Sequence, residues 1–386
     1  MRSVLHRLVS GAIVVALLWL AACGQSPSAV ETPTGSYGRI ASFAGTGHAG
    51  LGAEGVAPLQ SPLYLPQDLT IGPDGRVYIL DWNNHRVRLI DDGLIHTLIG
   101  SGGLGDALAG PALEIGLNHP THISFDPLGR LILSAWHNSK ILRYDFNTGL
   151  IEPICGTGRR EYNGDEIPAT EAWLNLPSST AFDSFGRMYI SDQESQRIRR
   201  VDLDGIIYTV VGTGESGFAG DGGPASEAMI KGLEGQAAPP TSRIALDPQG
   251  NLYLADTFNN RIRMVDSQGI ITTVAGNGSD FRFGGISDFG ESGPAQSAAL
   301  QWPCDIAFDE RGRLFIADTF NHCVRMVDLQ GMISTVAGRC GDPGFAGDGG
   351  DPLAARLNRP YGIDLDAGNN LYIADTKNHR IRVVYY

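Results

Sequence analysis

The sequence predicts an all-β fold, a six-bladed β-propeller built from four-stranded antiparallel blades. One observation is a short segment that recurs six times, and the other is a set of four strand signals around each copy. The six copies lie at intervals of 54, 57, 64, 62 and 57 residues and are centred on Asp81, Ala135, Asp192, Asp256, Asp318 and Asp375. Self-similarity at a nearly fixed period is typical of repeat architectures.

Each repeat has the pattern of an antiparallel meander. Its first strand follows a proline and ends in a DPxGR-type turn, and its next strands read LFIAD, VRMVD and MISTVAG in the fifth repeat. Tight polar turns separate these strands, as in hairpin-connected sheets. One such sheet cannot bury both faces alone, but six sheets around an axis can, because every face then packs on a neighbour.

The two ends of the chain are predicted to complete one blade. The last repeat stops at Tyr386, at the end of its third strand, and has no fourth strand. Residues 39–47 read RIASFAGTG and match the fourth strands that begin at Ile270 and Met332. We therefore expect the N-terminal strand to pair with the C-terminal blade, which closes the propeller and removes an exposed sheet edge.

The first residues have the features of an export signal. Arg2 and Arg7 precede an apolar run over residues 8–20, and the string LAACG follows. This arrangement is typical of a cleaved secretory signal, and the run is too short to span a bilayer. The tetrapeptide that ends in Cys23 resembles the lipobox of bacterial lipoproteins. The other interpretation is an ordinary secretory peptide with an incidental cysteine.

The lipobox resemblance implies that residues 1–22 are removed and that Cys23 carries the lipid. It also implies an exported protein anchored to the cell envelope, with the outer membrane as the destination because Gly24 is not an aspartate. We expect the protein to face the periplasm or the cell surface. Residues 23–38, rich in Ser, Pro, Thr and Gly, are interpreted as a flexible tether, and residues 39–386 as the propeller.

The repeat resembles the NHL repeat of six-bladed propellers of the TolB-like and NHL type. The shared pattern is a proline, then DxxGxLYIAD, a TxNxRIR turn and TVAGxG, and the resemblance covers residues 39–386. The GFAGDGGPA-type insertion is a trait of bacterial members. Blade 2 departs most, since Ala135, Lys140 and Leu142 replace the aspartate and the two arginines.

Charge and cysteine content limit the functional classes. The net charge is -13, or about -15 after residues 1–22 are removed, and no run of Lys or Arg interrupts it. An acidic surface repels phosphate backbones, so nucleic-acid binding is not expected. Export permits disulfides, but spacing leaves both pairing and unpaired cysteines open for Cys155, Cys304, Cys323 and Cys340.

Strand polarity places the functional loops on one face, which we call the top. The turns from second to third strands and the long inter-blade loops all reach this side. The loops cover residues 46–65, 101–119, 157–176, 213–239, 277–302 and 339–359. Long loops on a rigid scaffold commonly carry function.

The top ends of the inner strands supply candidate site residues around the central channel. We call this set the channel ring, and it consists of Asp68, His122, Ser179, Arg243, Asp305 and Gly362. Such convergence suits a small ligand or a cation, with Asp68, His122 and Asp305 as weak candidates for calcium or zinc. The alternative is a solvated channel in which Arg243 neutralises an aspartate.

Other motifs are expected to be structural. The GFAGDGG loops at residues 217–223 and 344–350 lack the lysine of a Walker motif and the carboxylate series of an EF-hand, so they are interpreted as turns. The repeated Asp and Arg seven residues apart predict ion pairs between adjacent strands. His85, His322 and His379 occupy equivalent turns and should lie too far apart to bind one metal ion.

Similarity to peptide-amidating lyases of the NHL type does not extend to their zinc-binding histidines. The corresponding residues here are Gln67, Thr121, Ser178, Ser242, Cys304 and Tyr361. The sequence therefore favours a monomeric binding scaffold, without a cofactor, for a protein, peptide or glycan at the top face. The alternative is a metal-dependent hydrolase or lyase at the channel ring.

Overall fold

The computed structural model describes residues 37–235, 241–279 and 289–386, and its compact unit spans Tyr37–Tyr386. The predicted signal peptide, Cys23 and the predicted tether up to residue 36 lie outside the described residues. Within these ranges no helix is both long and apolar enough to cross a membrane.

The predicted six-bladed propeller is confirmed. Blade 1 consists of Asp68–Ile71, Val77–Asp81, Arg86–Asp91 and Leu94–Ile99. Blade 2 consists of His122–Phe125, Leu131–Ala135, Lys140–Asp145 and Leu150–Cys155. Blade 3 consists of Pro177–Phe182, Met188–Asp192, Arg197–Val201 and Ile206–Val211.

The second half of the propeller has the same antiparallel order. Blade 4 consists of Ile244–Leu246, Leu252–Asp256, Arg261–Val265 and Ile271–Ala275. Blade 5 consists of Pro303–Phe308, Leu314–Asp318, Cys323–Val327 and Met332–Ala337. Blade 6 consists of Pro360–Leu365, Leu371–Asp375, Arg380–Tyr385 and, from the other end of the chain, Arg39–Ala44.

Closure by the N-terminal strand is also confirmed. Arg39–Ala44 pairs antiparallel with Arg380–Tyr385, and Ile40 lies opposite Val384. Ile40 and Ala44 are fully buried in this position. The first strand of the propeller therefore contributes core side chains as well as backbone hydrogen bonds.

Three blades contain a fifth, two-residue strand, so the prediction of four strands is incomplete for blades 2, 3 and 5. These strands are Gly110–Pro111, Ile167–Pro168 and Gly293–Pro294. Each belongs to the loop that leads into its own blade and pairs with the fourth strand of that blade. The loop thereby covers the outer edge, which would otherwise expose unpaired backbone groups.

Among the described residues, six large hydrophobic clusters lie one between each pair of neighbouring blades, and a small seventh cluster contains Trp136 and Leu176. The cluster between blades 6 and 1 includes Leu69 and Ile79 from one side and Ile381 from the other. Both faces of every sheet are consequently buried, as the propeller requires.

In every blade, a short 3-10 helix follows the second strand and leads into the top-face turn. The six helices are Trp82–Asn84, Trp136–Asn138, Gln193–Ser195, Thr257–Asn259, Thr319–Asn321 and Thr376–Asn378. In the described parts of the inter-blade loops there are four more 3-10 helices, at Pro58–Gln60, Ala169–Glu171, Ala225–Glu227 and Ala295–Ser297.

In every blade, a glycine follows the fourth strand for a steric reason. Gly100, after the fourth strand of blade 1, has φ +98°, and a Cβ there would lie 2.3 Å from the carbonyl oxygen of His85. His85 itself adopts the left-handed conformation at the end of its turn. The glycine of the TVAG motif therefore permits close approach of two backbone segments.

One disulfide links Cys323 to Cys340. In blades 1, 3, 4 and 6 an arginine occupies the position of Cys323, and it donates a hydrogen bond to a carbonyl of the following loop. In blade 5 the disulfide makes this connection covalently. Cys155 and Cys304 are buried free thiols.

Candidate functional site

Arg243 joins blade 4 to three other blades at the top of the central channel. Its Nη1 donates to Asp68 Oδ1 at 2.7 Å and to Asp305 Oδ2 at 2.9 Å. Its Nη2 donates to the carbonyl oxygens of Gln67 and Thr121 at 2.9 and 2.8 Å. All three charged side chains are almost completely buried, so the guanidinium closes the channel at this level.

Further hydrogen bonds of the channel ring connect neighbouring blades. Asp68 Oδ2 accepts a hydrogen bond from the backbone of Ile123, and Asp305 Oδ2 accepts one from Ile363, both at 2.9 Å. Ser179 Oγ accepts from the backbone of Ile244 at 3.1 Å. The ring thus satisfies backbone donors along the edges of inner strands, which buried donors require.

Gly362 is the sixth member of the channel ring and provides space for this network. A Cβ at this position would lie 2.7 Å from Asp68 Oδ1 and 2.8 Å from the carbonyl oxygen of Gln67. Both oxygens accept hydrogen bonds from Arg243. A side chain at residue 362 would therefore displace atoms that hold the guanidinium.

The electrostatics of the channel ring are dominated by burial. Two carboxylates share one guanidinium, which leaves the trio with one negative charge when all groups are ionised. Burial raises the pKa of Asp68 to about 8, while Arg243 opposes this effect and Asp305 adds to it. Burial also raises the pKa of Asp305. The trio therefore favours any additional positive charge or proton.

The channel ring does not have the arrangement of a metal site. Arg243 Nη1 lies between Asp68 and Asp305, and His122 Nδ1 lies 3.4 Å from the backbone nitrogen of Thr180 as an acceptor. In the part of the chain that the structure describes, no three His, Cys, Asp or Glu residues are grouped to hold a metal ion. A metal ion would have to displace Arg243 to reach both carboxylates.

Replacing His122 with asparagine should reduce the loss of stability at acidic pH. Burial, and then the positive charge of Arg243, hold the pKa of His122 well below its usual value. As pH falls, His122 is protonated in the unfolded chain before it is protonated in the folded protein. The free energy of unfolding is therefore unaffected by His122 above about pH 6.5 and decreases below that pH. The expected loss is up to about 1.4 kcal/mol per pH unit.

The measurement is urea unfolding of the wild type and His122→Asn at pH 7.5 and pH 5. The asparagine oxygen can replace Nδ1 as the acceptor for Thr180, so the variant should remain folded. His96→Asn, at an exposed position, is the matched control. An equal acid-induced loss in the wild type and His122→Asn would contradict the prediction.

The top face carries two groups of ring side chains in tilted or edge-to-face contact, which we call the aromatic rim. The rim consists of Trp82, His119, His137, Phe258, Trp302 and Phe320, all partly exposed. Trp302 lies 4.3 Å from both Phe258 and Phe320, between ring centroids. Across the face, His119 lies 4.6 Å from Trp82 and 5.1 Å from His137.

Three equivalent histidines of the turns have a structural partner. His85, His322 and His379 each accept a hydrogen bond at Nδ1 from the backbone of the next inter-blade loop. The donors are His119, Arg359 and Leu65, and the distances are 3.1 to 3.2 Å. These histidines hold the entry of the next inner strand, and Nδ1 is committed to that bond.

In five blades, the predicted pairing of Asp and Arg is extended by a third residue, a loop carboxylate. In blade 4, Arg263 lies 3.4 Å from Asp256 and 2.7 Å from Asp221, and the arginine is fully buried. Asp221 also accepts a hydrogen bond from Thr273 of the fourth strand. The corresponding loop acids in the other blades are Glu54, Asp165, Glu291 and Asp348.

Blade 2 replaces this charged cluster with apolar residues at all three positions. Ala135 and Leu142 stand for the aspartate and arginine, and Leu108 occupies the loop position. Ala135 and Leu142 are fully buried in the cluster between blades 1 and 2. Their joint replacement indicates that the cluster is a unit of structure.

The GFAGDGG loops bind to the propeller itself. Asp221 and Asp348 are the aspartates of the two loops and contact the buried Arg263 and Arg382 at 2.7 Å. The loop phenylalanine covers the arginine, since Phe345 lies 4.9 Å from the guanidinium of Arg382. Their glycines thus serve the packing of a charged cluster.

Two comparisons with known proteins bear on identity. A family model for the NHL repeat matches residues 63–88 and 357–384. Mouse Teneurin-4 is 30% identical over 353 residues, which represent 83% of this chain and 12% of that protein. The chain therefore spans about an eighth of the length of this curated relative.

Solved structures share the architecture at low sequence identity. A Bacteroides thetaiotaomicron protein of unknown function superposes with a TM-score of 0.64 and 17% identity, over 90% of this chain and 75% of that one. An auxiliary nutrient binding protein of the same organism gives 0.61 and 17%, over 90% and 76%. These likenesses concern the fold alone.

The closed arrangement of six antiparallel sheets and six inter-blade cores defines the class of protein as a six-bladed β-propeller. The family-model matches in blade 1 and blade 6 identify the repeat in these blades. The chain contains NHL repeats, as the sequence pattern predicted.

Proposed function

We propose that the chain is an exported, lipid-anchored scaffold that binds a protein, peptide or glycan through its top face. The aromatic rim is the observation that supports this proposal most. Partly exposed aromatic side chains offer large contact areas with little conformational freedom to lose, and they are frequent at binding surfaces. A Bacteroides propeller described as an auxiliary nutrient binding protein has the same architecture.

The position of Tyr37 suits an anchor that leaves the top face free. The closing strand Arg39–Ala44 begins at the bottom of blade 6 and ends at the top, where Gly45 follows. The chain therefore enters the propeller from the bottom.

Replacing Phe320 with alanine should strongly weaken ligand binding at the top face. Phe320 packs against Trp302 and lies 4.3 Å from the guanidinium of Arg359, so its loss removes one of the three rings of this group and the contact with Arg359. Removal of a central aromatic contact typically costs about 2 kcal/mol, or roughly thirtyfold in affinity. Peptide and glycan arrays probed with purified wild type and variant provide the measurement.

The matched control for Phe320→Ala is Phe185→Ala. Phe185 is an aromatic residue with 72% exposure in a turn on the bottom face. Array signals should survive in Phe185→Ala and disappear in Phe320→Ala. Equal signals in wild type and Phe320→Ala would overturn the top-face proposal.

Replacing Cys23 with alanine should separate the protein from the membrane. The lipid depends on the cysteine thiol, whereas the propeller begins at Tyr37. In a bacterial host fed labelled palmitate, wild type should carry the label and partition into detergent, and Cys23→Ala should do neither. An unlabelled wild-type protein would instead support the ordinary secretory signal.

A further inference from the structure

The central channel continues below the channel ring as a cavity of about 320 Å³. The ring closes its upper end, and the lower ends of the inner strands form its mouth. We call it the bottom cavity, and its wall includes Thr70, Ser124, Phe125, Phe182, Phe308 and Asp364. Its volume lies at the lower end of the range for small-molecule sites.

Asp364 places a carboxylate in the wall of the bottom cavity. Its Oδ2 accepts hydrogen bonds from the backbone of Ile71 at 2.9 Å and from Thr70 Oγ1 at 3.0 Å. Its Oδ1 accepts one from the backbone of Leu365 at 2.8 Å. The groups that act on its charge are these donors and Asp305, and none of them is cationic. The carboxylate is oriented by neutral donors, and Asp364 as a residue keeps some exposure in the cavity wall.

The rest of the cavity wall combines polar and apolar surface, and part of it is aromatic. Phe125, Phe182 and Phe308 lie at equivalent positions near the lower ends of their inner strands. The polar residues Ser124 and Thr180 satisfy each other through a hydrogen bond of 2.8 Å. A carboxylate near aromatic rings suits an organic cation, because both attract positive charge.

The bottom face around the mouth has a strongly negative charge. The eleven turns of the bottom face contain fourteen Asp or Glu and five Arg. These turns are residues 72–76, 126–130, 183–187, 247–251, 309–313, 366–370, 91–93, 145–149, 202–205, 266–269 and 328–331. Such a face raises the local concentration of cations and repels anions.

A groove of about 540 Å³ adjoins the mouth between blades 1, 5 and 6. Ile71 and Phe308 line both the groove and the bottom cavity. The groove is also lined by Asp309, Glu310 and Asp366. A ligand that enters the channel thus has room for a larger apolar or polycationic portion outside it.

We propose that the bottom cavity binds a small organic cation, an alkylammonium or arylalkylammonium compound, with its ammonium group on Asp364 and its apolar part against Phe125, Phe182 and Phe308. A bare metal ion fits less well, because the cavity is wide and the described residues provide no group of three metal-binding side chains. This site lies at the opposite end of the channel from the aromatic rim and is independent of the top-face function.

Isothermal titration with 2-phenylethylammonium and its neutral counterpart 2-phenylethanol tests the proposal on the wild-type protein. The amine should bind at least about tenfold more tightly than the alcohol, since a hydrogen bond to a charged group is lost in the alcohol. Asp364→Asn should weaken amine binding by a similar factor. Equal binding of both compounds, or no amine binding, would overturn the proposal.

The matched control is Asp204→Asn, which removes one exposed carboxylate from a bottom turn outside the channel. It should leave amine affinity unchanged. If Asp364→Asn fails to fold, Ala181→Leu serves as the second variant, because Ala181 lines the cavity and a larger side chain fills it. Unchanged amine affinity in Ala181→Leu would place the amine elsewhere and contradict the proposal.

The pH dependence of amine binding gives a further readout. Burial raises the pKa of Asp364 to about 6. The charged or titratable groups of the neighbouring inner strands are Asp68, His122, Arg243 and Asp305. Wild-type affinity should fall about tenfold per pH unit below 6, as Asp364 becomes protonated. Constant affinity between pH 7 and pH 5 would indicate binding to exposed carboxylates and overturn the proposal.

Discussion

A chain that begins at Gly45 will not unfold cooperatively, because it lacks the strand that completes blade 6. Deletion of residues 37–44 removes the fully buried Ile40 and Ala44 and all pairing to Arg380–Tyr385. Loss of one large buried aliphatic side chain alone costs about 2–5 kcal/mol, against a net stability of about 5–15 kcal/mol for a typical domain. The exposed edge should also promote association.

Thermal unfolding followed by circular dichroism measures the effect of this deletion. A chain that begins at Tyr37 is the matched control and should melt as sharply as the full-length protein. Ile40→Ala in that chain should lower the melting temperature while preserving a single transition, since the strand remains. A chain from Gly45 with the same sharp transition would show that the propeller does not depend on closure.

Arg263→Leu in blade 4 should cost about 3–5 kcal/mol in unfolding free energy, because it leaves buried Asp256 without its cation. Replacing the whole cluster should cost much less. The variant Asp221→Leu, Asp256→Ala, Arg263→Leu copies the residues of blade 2, and an apolar cluster of similar volume is often as stable as a buried ionic one. Asn259, the equivalent of Asn138, can then accept the loop backbone hydrogen bond as Asn138 does.

Urea unfolding of both variants measures the difference. The reverse control is Leu142→Arg in blade 2, which buries a guanidinium among apolar residues and should destabilise the protein by several kcal/mol. If the triple variant is as unstable as Arg263→Leu, the charged cluster has a role that apolar packing cannot replace.

The fold was predictable because a propeller repeats a local pattern. The proline, the LYIAD strand and the TVAG glycine mark the same positions in each repeat, and missing strands can be found by counting. The fifth strands were missed because two-residue segments such as Gly110–Pro111 carry no strand periodicity, and their pairing depends on the path of the loop.

The residues of the channel ring occupy one equivalent position in each repeat, so the sequence predicts that they lie close together. It does not predict which of them are in contact. Arg243 reaches Asp68 over a sequence separation of 175 residues, and no local pattern encodes which carboxylate it contacts. Asp68 and Asp305 bind the same guanidinium because blades 1, 4 and 5 converge at the propeller axis.

The loop acids were missed although the sequence carries a signal for them. An acid precedes the Pro or Ala of the loop at Glu54, Asp165, Asp221, Glu291 and Asp348, and Leu108 stands at this position before blade 2. The glycines around Asp221 and Asp348 favoured an interpretation as simple turns. Comparison with Ala135 and Leu142 of blade 2 would have revealed that the three positions vary together.

The closing strand also determines how the propeller would carry mechanical load. If the chain is anchored at Cys23 while a partner pulls on the top face, tension acts along the axis of Arg39–Ala44. Its pairs with Arg380–Tyr385 would then be strained in shear, so that several hydrogen bonds resist together rather than opening one after another. The pairing that completes the sheet would thereby resist traction on such an anchor.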